Sequence, residues 1–406
     1  MKNVLVAQSG GPTAAINASI FGILEEVLKN EQEINLFGAK YGVKGLLKED
    51  ILNLSQLFKN KQKELLLQTP GCVLGSCRYK LKDFNESEEE YEQLLKILRK
   101  NNINYFLYIG GNDSMDTVLK IYEYFKKKNI NDIFVVGVPK TIDNDLLETD
   151  HCPGFGSCAK YIAQTFAEIE RDCFVYDINS ITIVETMGRD AGWLTAASCL
   201  SRLNGMKGPS LIYCCETAFS LNSFLKDIEE AFKEKKQLLI AVSEGLKNEK
   251  GELISKEAKY NKKDVFGHSQ NAGVAKYLEE FVKQNIGCKV RSIEINLPQR
   301  AASFFSSKTD ILESVMVGKK ALEFALEQKT GVMATIKRKE TEEYSVYYDY
   351  VFVEEVANKV KTVPKEFITA DGKDVTQKAV RYLKPLIQGE QNFYYENGLL
   401  KFITLF

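Results

Sequence analysis

Histidine is almost missing from this chain: of 406 residues, only His151 and His268 carry an imidazole. Two are too few for a histidine-rich metal site, and both are expected to be ordinary polar residues, although His151 follows closely on a loop described below. The nine cysteines are scattered and none forms a CxxC pair. The first residues, MKNVLVAQSGGP, have neither the apolar stretch nor the cleavage site of a secretory signal. An odd number of thiols without an export signal points to a reducing, cytoplasmic setting. No apolar run is long enough to span a bilayer. Neither sign of charge is in excess: 54 basic residues face 55 acidic ones, a net charge of −1. That gives no footing for nucleic acid or an anionic membrane as a partner. Lysine runs at 126–128 and 233–236 lie near the ends of helical patterns, where lysine solvates a surface and complements the helix dipole. The chain has no short-period repeat, no low-complexity linker and no GxxxxGK[ST] phosphate loop.

What is present is a globular composition, 44% hydrophobic, on a chain long enough for two cores. Apolar runs at 3–7, 34–39, 105–109, 133–138, 180–185, 210–214, 238–243, 289–296 and 331–337 read as strands. Helical spacing occupies 14–29, 86–100, 115–128, 159–173, 191–201, 220–235, 269–284 and 309–329. This alternation predicts an α/β fold: two Rossmann-like, three-layer α/β/α domains with mostly parallel sheets. The tyrosine-rich stretch 340–350 and the aromatic stretch 392–406 read as an appended helical and strand segment, not a third domain.

The richest stretch is 138–145, VPKTIDND, which leaves the end of a strand. Asp143 and Asp145 stand two residues apart, beside Lys140 and Thr141. Open α/β sheets bind ligands at the carboxyl ends of their strands. Carboxylates beside a lysine suit a reaction in which one group takes a proton while another faces phosphate charge. The alternative is a turn whose Asp and Asn side chains bond the local backbone. Two further loops follow strands in the same way. In 8–13, QSGGPT, Gly10 and Gly11 let the backbone approach an anion ahead of a helix. In 109–115, IGGNDSM, Asn112, Asp113 and Ser114 open another helix, where Asp113 or Ser114 could act only as a cap. Three such loops after parallel strands would converge at one sheet edge. A fourth loop, MGRDAGW at 187–193, offers Arg189, whose guanidinium can grip an oxyanion through two bonds. Trp193 is expected in the core.

In order along the first three quarters of the chain, QSGGPTAAINA, GSCR, GGNDS, PKTIDND, MGRDAGW, SEG and QR resemble the phosphofructokinase family, specifically its pyrophosphate-dependent branch. The resemblance implies reversible, magnesium-dependent phosphoryl transfer from diphosphate to the 1-hydroxyl of fructose 6-phosphate. It implies Asp143 as general base, with Asp145 assisting the metal or orienting the base. Thr141, Ile142, Met187, Gly188, Arg189, Glu244, Arg291, Gln299 and Arg300 match sugar-phosphate positions. Gly10, Gly11, Arg78 and Lys140 match diphosphate positions. ATP-using members carry glycine where this chain has Asp113 and Lys140. Asp113 would crowd and repel a nucleotide, and Lys140 would bring a cation to the transferring group. Asn112 stands where many ATP-type members have a magnesium-binding aspartate, and its amide oxygen could still contact the ion. Leu297 replaces a histidine of the ATP-type HIQR pattern. Asn179 and Ser180 stand where bacterial ATP-type members supply an arginine across a subunit interface.

The implied organisation is a diphosphate domain of residues 1–145 plus about 265–310, and a sugar-phosphate domain of about 146–264 plus 311–406. The implied assembly is a homo-oligomer, a dimer or tetramer. The competing readings are an ATP-dependent enzyme, a kinase of sedoheptulose 7-phosphate, and a non-catalytic regulatory subunit. Retention of Gly10, Gly11, Asp143 and Arg189 argues against the last.

Overall fold

The computed structural model describes residues 2–29, 34–257 and 273–406. Its two larger sheets are built from β1 (Lys2–Gln8), β2 (Ile34–Ala39), β3 (Ile51–Asn53), β4 (Ile103–Gly110), β5 (Phe134–Pro139), β6 (Ser180–Thr186), β7 (Leu211–Tyr213), β8 (Gln237–Ser243), β9 (Lys289–Glu294), β10 (Val332–Arg338) and β11 (Val346–Phe352). The chain divides into two compact units. One comprises Met1–Ser157, Arg300–Val360 and Gln388–Phe406; the other comprises Cys158–Gln299 and Lys361–Ile387.

The first unit holds a seven-stranded sheet in the order β11-β10-β5-β4-β1-β2-β3. The five inner strands run parallel, and the edge strands β3 and β11 pair antiparallel. Successive side chains of a strand face opposite sides, so an all-apolar strand feeds two cores. Val4 and Val6 enter one core with Ile16, Ile20 and Ile23 of the helix Ile16–Lys29 and Leu322 of the helix Lys308–Leu326. Leu5 and Ala7 enter the other with Leu94 of the helix Glu88–Lys100 and Val118 of the helix Asn112–Lys127. The Glu88–Lys100 helix shows why these segments fold as they do. Three glutamates occupy its first turn, Arg99 and Lys100 its last, and Tyr91, Leu94, Ile97 and Leu98 form the buried stripe.

Helices Ile16–Lys29 and Lys308–Leu326 cross at glycines. A Cβ on Gly22 would lie 2.0 Å from the carbonyl oxygen of Val315, and one on Gly318 would lie 2.2 Å from that of Ser19. The two backbones therefore touch.

The second unit holds a four-stranded parallel sheet, β7-β8-β6-β9. Ile183, Ile240 and Val242 pack there against Phe224 and Ile228 from the helix Leu221–Ala231 and Leu278 and Val282 from the helix Val274–Ile286. Trp193 is buried as expected; its indole N–H donates to the Lys361 carbonyl and its ring meets Tyr382.

The α/β class with mostly parallel sheets holds. The division of the chain differs from the expected one. Residues 146–157 stay with the first unit. Residues 273–299 join the second, because β9 pairs with β6. Residues 311–360 join the first, because β10 pairs with β5 and carries β11 with it. The segment after residue 339 forms no third unit: it supplies the edge strand β11, then residues 361–387 of the second unit and 388–406 of the first. The start of the expected helix 269–284 and His268 lie outside the described residues. All nine cysteines are free thiols. No helix among the described residues is long and apolar enough to cross a membrane.

Candidate active site

In the first sheet the chain moves from β1 to β2 on one side and from β4 to β5 on the other. The strand order therefore reverses between β1 and β4, and a crevice opens at such a point beyond the carboxyl ends of the strands. The loops after β1, β4 and β5 meet there, as the sequence suggests. Ser9 N donates to the Ile109 carbonyl at 2.9 Å, and the Ser9 and Ser114 hydroxyls bond to each other. Lys140 N donates to the Gly110 carbonyl at 2.9 Å. Lys140 Nζ crosses to the first loop and donates to the Gly11 carbonyl at 2.7 Å. Gly10 has φ +76°, and a Cβ there would lie 3.3 Å from Lys140 Nζ. A Cβ on Gly11 would lie 3.5 Å from an Arg300 nitrogen. Two cations thus sit against two glycines.

Lys140 is 2% exposed. Burial lowers its pKa; Cys72, Asp143 and Asp145 act in the opposite direction, and Arg300 adds to the lowering. The buried ammonium is therefore in electrostatic reach of both carboxylates of the 141–145 loop. That loop is not merely an Asx turn. Asn144 takes the structural part: it is fully buried at φ +53°, and its Oδ1 accepts from Cys152 N at 3.0 Å. Asp143 and Asp145, on either side, are half-buried. The Thr141 hydroxyl accepts from Asp143 N at 3.1 Å, and Thr141 N donates to the Pro153 carbonyl. Ile142 is buried.

The far end of this loop is pinned by His151, which is buried rather than an ordinary polar residue. Its Nδ1 lies 2.8 Å from Asp150 and its Nε2 lies 2.6 Å from Glu313. Burial by itself lowers the imidazole pKa, but Glu313 and Asp150 outweigh it and raise it to about 9. Arg338 donates to Asp150 and the Tyr344 hydroxyl donates to Glu313. Asp310 accepts from Gly154 N, Ser157 N and the Ser157 hydroxyl.

At the entrance to the helix Asn112–Lys127 the cap residue is Gly111, and it makes no side-chain cap bond. Asp113 is exposed, with Lys80 Nζ 3.7 Å away. Asn112 is already engaged: its Nδ2 donates to the Lys359 carbonyl, and its Oδ1 accepts from Asn358 N at 2.6 Å. An amide held at both ends by backbone is a poor metal ligand. Arg78 is exposed at the end of the 71–78 loop.

The second unit carries its own cluster, at the ends of the neighbouring strands β6 and β8. Gly188, at φ +116°, donates its N–H to Glu244 Oε1 at 3.1 Å, and Ser243 Oγ donates to the Gly188 carbonyl at 2.8 Å. Met187 N donates to Gln299 Oε1 at 3.0 Å. A Cβ on Gly245 would lie 1.9 Å from the Arg189 carbonyl oxygen, so SEG and MGR are fitted backbone to backbone. Arg189 itself is exposed. Burial raises the pKa of Glu244. Arg291 is not part of this group. It pairs in register with Thr182, near the start of β6, and its guanidinium meets Asp172 at 3.3 Å. From Thr182 to the end of β6 is about 13 Å along the strand.

Three features escape a reading of the sequence. Arg300, matched to the sugar phosphate, stands beside Gly11 and Lys140. Gln8 and Asn17 act as a buried amide pair. Gln8 Nε2 donates to Asn17 Oδ1, and Asn17 Nδ2 donates to the Thr69 and Gly71 carbonyls, which fixes the loop leading to Arg78. The signal was the placement of two amides within QSGGPTAAINA. Glu185, next to last in β6, accepts from Ala275 N, and burial raises its pKa to about 7, with Glu294 adding to the rise. Among the described residues no group of three or more His, Cys, Asp or Glu side chains is arranged around a metal position.

The two units together define a doubly wound α/β protein with anion-type loops at the carboxyl ends of parallel strands. Residues 3–295 match the model of the phosphofructokinase family, and the chain belongs to that family. It is 39% identical to the pyrophosphate–fructose 6-phosphate 1-phosphotransferase of Halomonas elongata, over 99% of this chain and 96% of that protein. It is 38% identical to the protein of the same name from Xanthomonas campestris, over 99% and 96%. The crystal structure of the pyrophosphate-dependent phosphofructokinase of Nitrosospira multiformis superposes with a TM-score of 0.87 at 34% identity, over 100% of this chain and 98% of that one.

Proposed function

We propose that this chain transfers a phosphoryl group from pyrophosphate to the 1-hydroxyl of fructose 6-phosphate, reversibly, giving fructose 1,6-bisphosphate and phosphate. The observation that carries the reading is the meeting of Lys140, Arg300 and the Asp143–Asp145 pair at the Gly10–Gly11 loop. Backbone freed of side chains admits a phosphate, and the buried Lys140 with the half-buried Arg300 matches its charge. Full-length likeness to proteins named for this reaction supports the same choice of donor and acceptor.

Asp143 takes the hydroxyl proton as the O1–P bond forms and the bridging P–O bond of pyrophosphate breaks. Phosphoryl transfer depends chiefly on alignment and charge neutralisation, so one base and several cations form a sufficient set. Lys140 and Arg300 carry the charge of the transferring group, and Arg78 meets the leaving phosphate. Asp113 keeps a negative side chain at the helix entrance, where it opposes a bulkier anionic donor. The Met187–Arg189 segment with Glu244 and Gln299 positions the sugar phosphate. Asp145, half-buried and within electrostatic reach of Lys140, would hold a magnesium ion, a metal that needs only one or two carboxylates beside substrate phosphates. Bound there it would neutralise phosphate charge.

The test is an initial-rate assay of the purified chain with fructose 6-phosphate, Mg²⁺ and either pyrophosphate or ATP. Turnover with pyrophosphate well above that with ATP is expected. A preference for ATP overturns the roles given to Asp113 and Lys140.

A further inference from the structure

Residues 394–406 take no part in the reaction above, yet they grip the segment that leads to Arg78. They open with a short hairpin, β12 (Tyr395–Glu396) and β13 (Leu399–Leu400), and continue through 401–406. Gln68, 3% exposed, gives its whole side chain to this stretch. Its Nε2 donates to the Tyr394 and Lys401 carbonyls, each at 2.8 Å, and its Oε1 accepts from Tyr394 N at 2.8 Å. Thr69 Oγ1 accepts from Ile403 N at 3.0 Å and donates to the Leu65 carbonyl at 2.7 Å. Ile403 and Leu405 are buried in the core that holds Leu65, Leu66 and Leu74. Tyr395 and Leu399 are 62% and 74% exposed, so the hairpin holds Gln68 through its main chain and not by packing.

The same segment is bound further along to the glycine loop and the helix after it. Gly71 N donates to the Thr13 carbonyl at 3.0 Å. Val73 N donates to Asn17 Oδ1 at 3.1 Å, and Leu74 N donates to Gln8 Oε1 at 3.0 Å. Ser76 Oγ donates to the Gly10 carbonyl at 2.7 Å, and Gly10 N donates to the Cys77 carbonyl at 3.2 Å. Residues 68–78 are thus fastened at their start by 394–406 and along their length by 8–17, and they end at Arg78. A buried amide or hydroxyl deprived of its partner is costly in place, so the segment that carries it shifts or admits water. Here that segment also sets the position of the donor loop.

Building on the pyrophosphate reading, we propose that Gln68 and Thr69 are positioning residues for the diphosphate. Residues 394–406 clamp them, and through 70–78 they fix where Gly10 and Arg78 meet the donor. The sugar-phosphate cluster is built from other segments, 187–189, 243–245 and 299, so the clamp acts on one substrate and not on the other.

The experiment is steady-state kinetics of the full chain and three variants, Gln68→Leu, Thr69→Val and Thr69→Ser, with pyrophosphate varied at saturating fructose 6-phosphate and the reverse. Gln68→Leu and Thr69→Val are expected to raise KM for pyrophosphate about tenfold, since small misplacements of binding groups are amplified, while KM for fructose 6-phosphate changes less than about twofold. Thr69→Ser keeps the hydroxyl and should stay within about twofold of the parent for both substrates. An unchanged KM for pyrophosphate in Gln68→Leu overturns the proposal, as do equal rises for both substrates or a Thr69→Ser variant as impaired as Thr69→Val. Circular dichroism checks folding, and if Gln68→Leu does not fold the Thr69 pair decides alone. A parent chain that does not turn over pyrophosphate refutes the reading on which the proposal rests, an outcome separate from any result with the variants.

Discussion

His151 should be a charged imidazolium at neutral pH, and the protein should lose stability when that charge is removed. In an unfolded chain a histidine titrates near 6.5; here the flanking carboxylates raise it to about 9. The folded state therefore holds the proton more tightly than the unfolded state does. The resulting stabilisation is fully present below about pH 6.5, declines between 6.5 and 9, and is gone above that. At about 1.4 kcal/mol per pKa unit, the contribution is on the order of 3 kcal/mol. The groups facing the ring fix the sign: Asp150 and Glu313 touch it, Asp310 is close, and Arg338 and Tyr344 already satisfy the outer sides of the two carboxylates. With only two histidines in the chain, labelled imidazoles give two NMR signals, and His151→Gln identifies its own by deletion. That signal should titrate near pH 9. In denaturant unfolding the variant should be less stable than the parent at pH 6, and the gap should narrow by pH 9.5. An imidazole that titrates at or below 6.5, or a gap independent of pH, refutes the reasoning. Because Cys152 N holds Asn144, slackening here should also disorder the Asp143 loop, so turnover should fall with stability.

Asp143→Asn should lower kcat by about 10²–10⁴-fold while fructose 6-phosphate binding, followed by calorimetry, survives; a near-normal rate removes Asp143 as the base. Gly318→Ala should destabilise by about 1–3 kcal/mol, because the new methyl meets the Ser19 carbonyl and overpacking exceeds the gain of about 1 kcal/mol in helix propensity; unchanged chemical denaturation contradicts the backbone contact. Glu185→Gln should remove a fall in stability that the parent shows as pH rises from about 4.5 to 7. The raised pKa means that the folded state favours the protonated acid, and parallel pH–stability curves for parent and variant rule this out.

Local pattern made the first unit's chemistry readable. An apolar β1 ending in Gly10–Gly11, and β5 ending in Lys140–Asp145, announce their loops because strand and turn signals lie within a few residues. Features made by distant partners were not readable. His151 looks ordinary until Glu313, 162 residues later, closes over it. Arg300 and Arg291 look alike in sequence, yet strand register sends Arg291 toward the start of β6, while Arg300 comes to rest beside Gly11. The unit boundaries misled for the same reason. Nothing within residues 289–352 reveals that β9 joins β6 while β10 joins β5.

That late pairing bears on biosynthesis. β5 is finished at Pro139, but the strand that covers its outer flank begins at Val332. At a ribosomal pace of about 5–20 residues per second, a nascent chain waits roughly 10–40 seconds with that flank bare. An uncapped apolar strand edge invites pairing with other chains, so expression of this protein should benefit from holding chaperones or slow growth at low temperature.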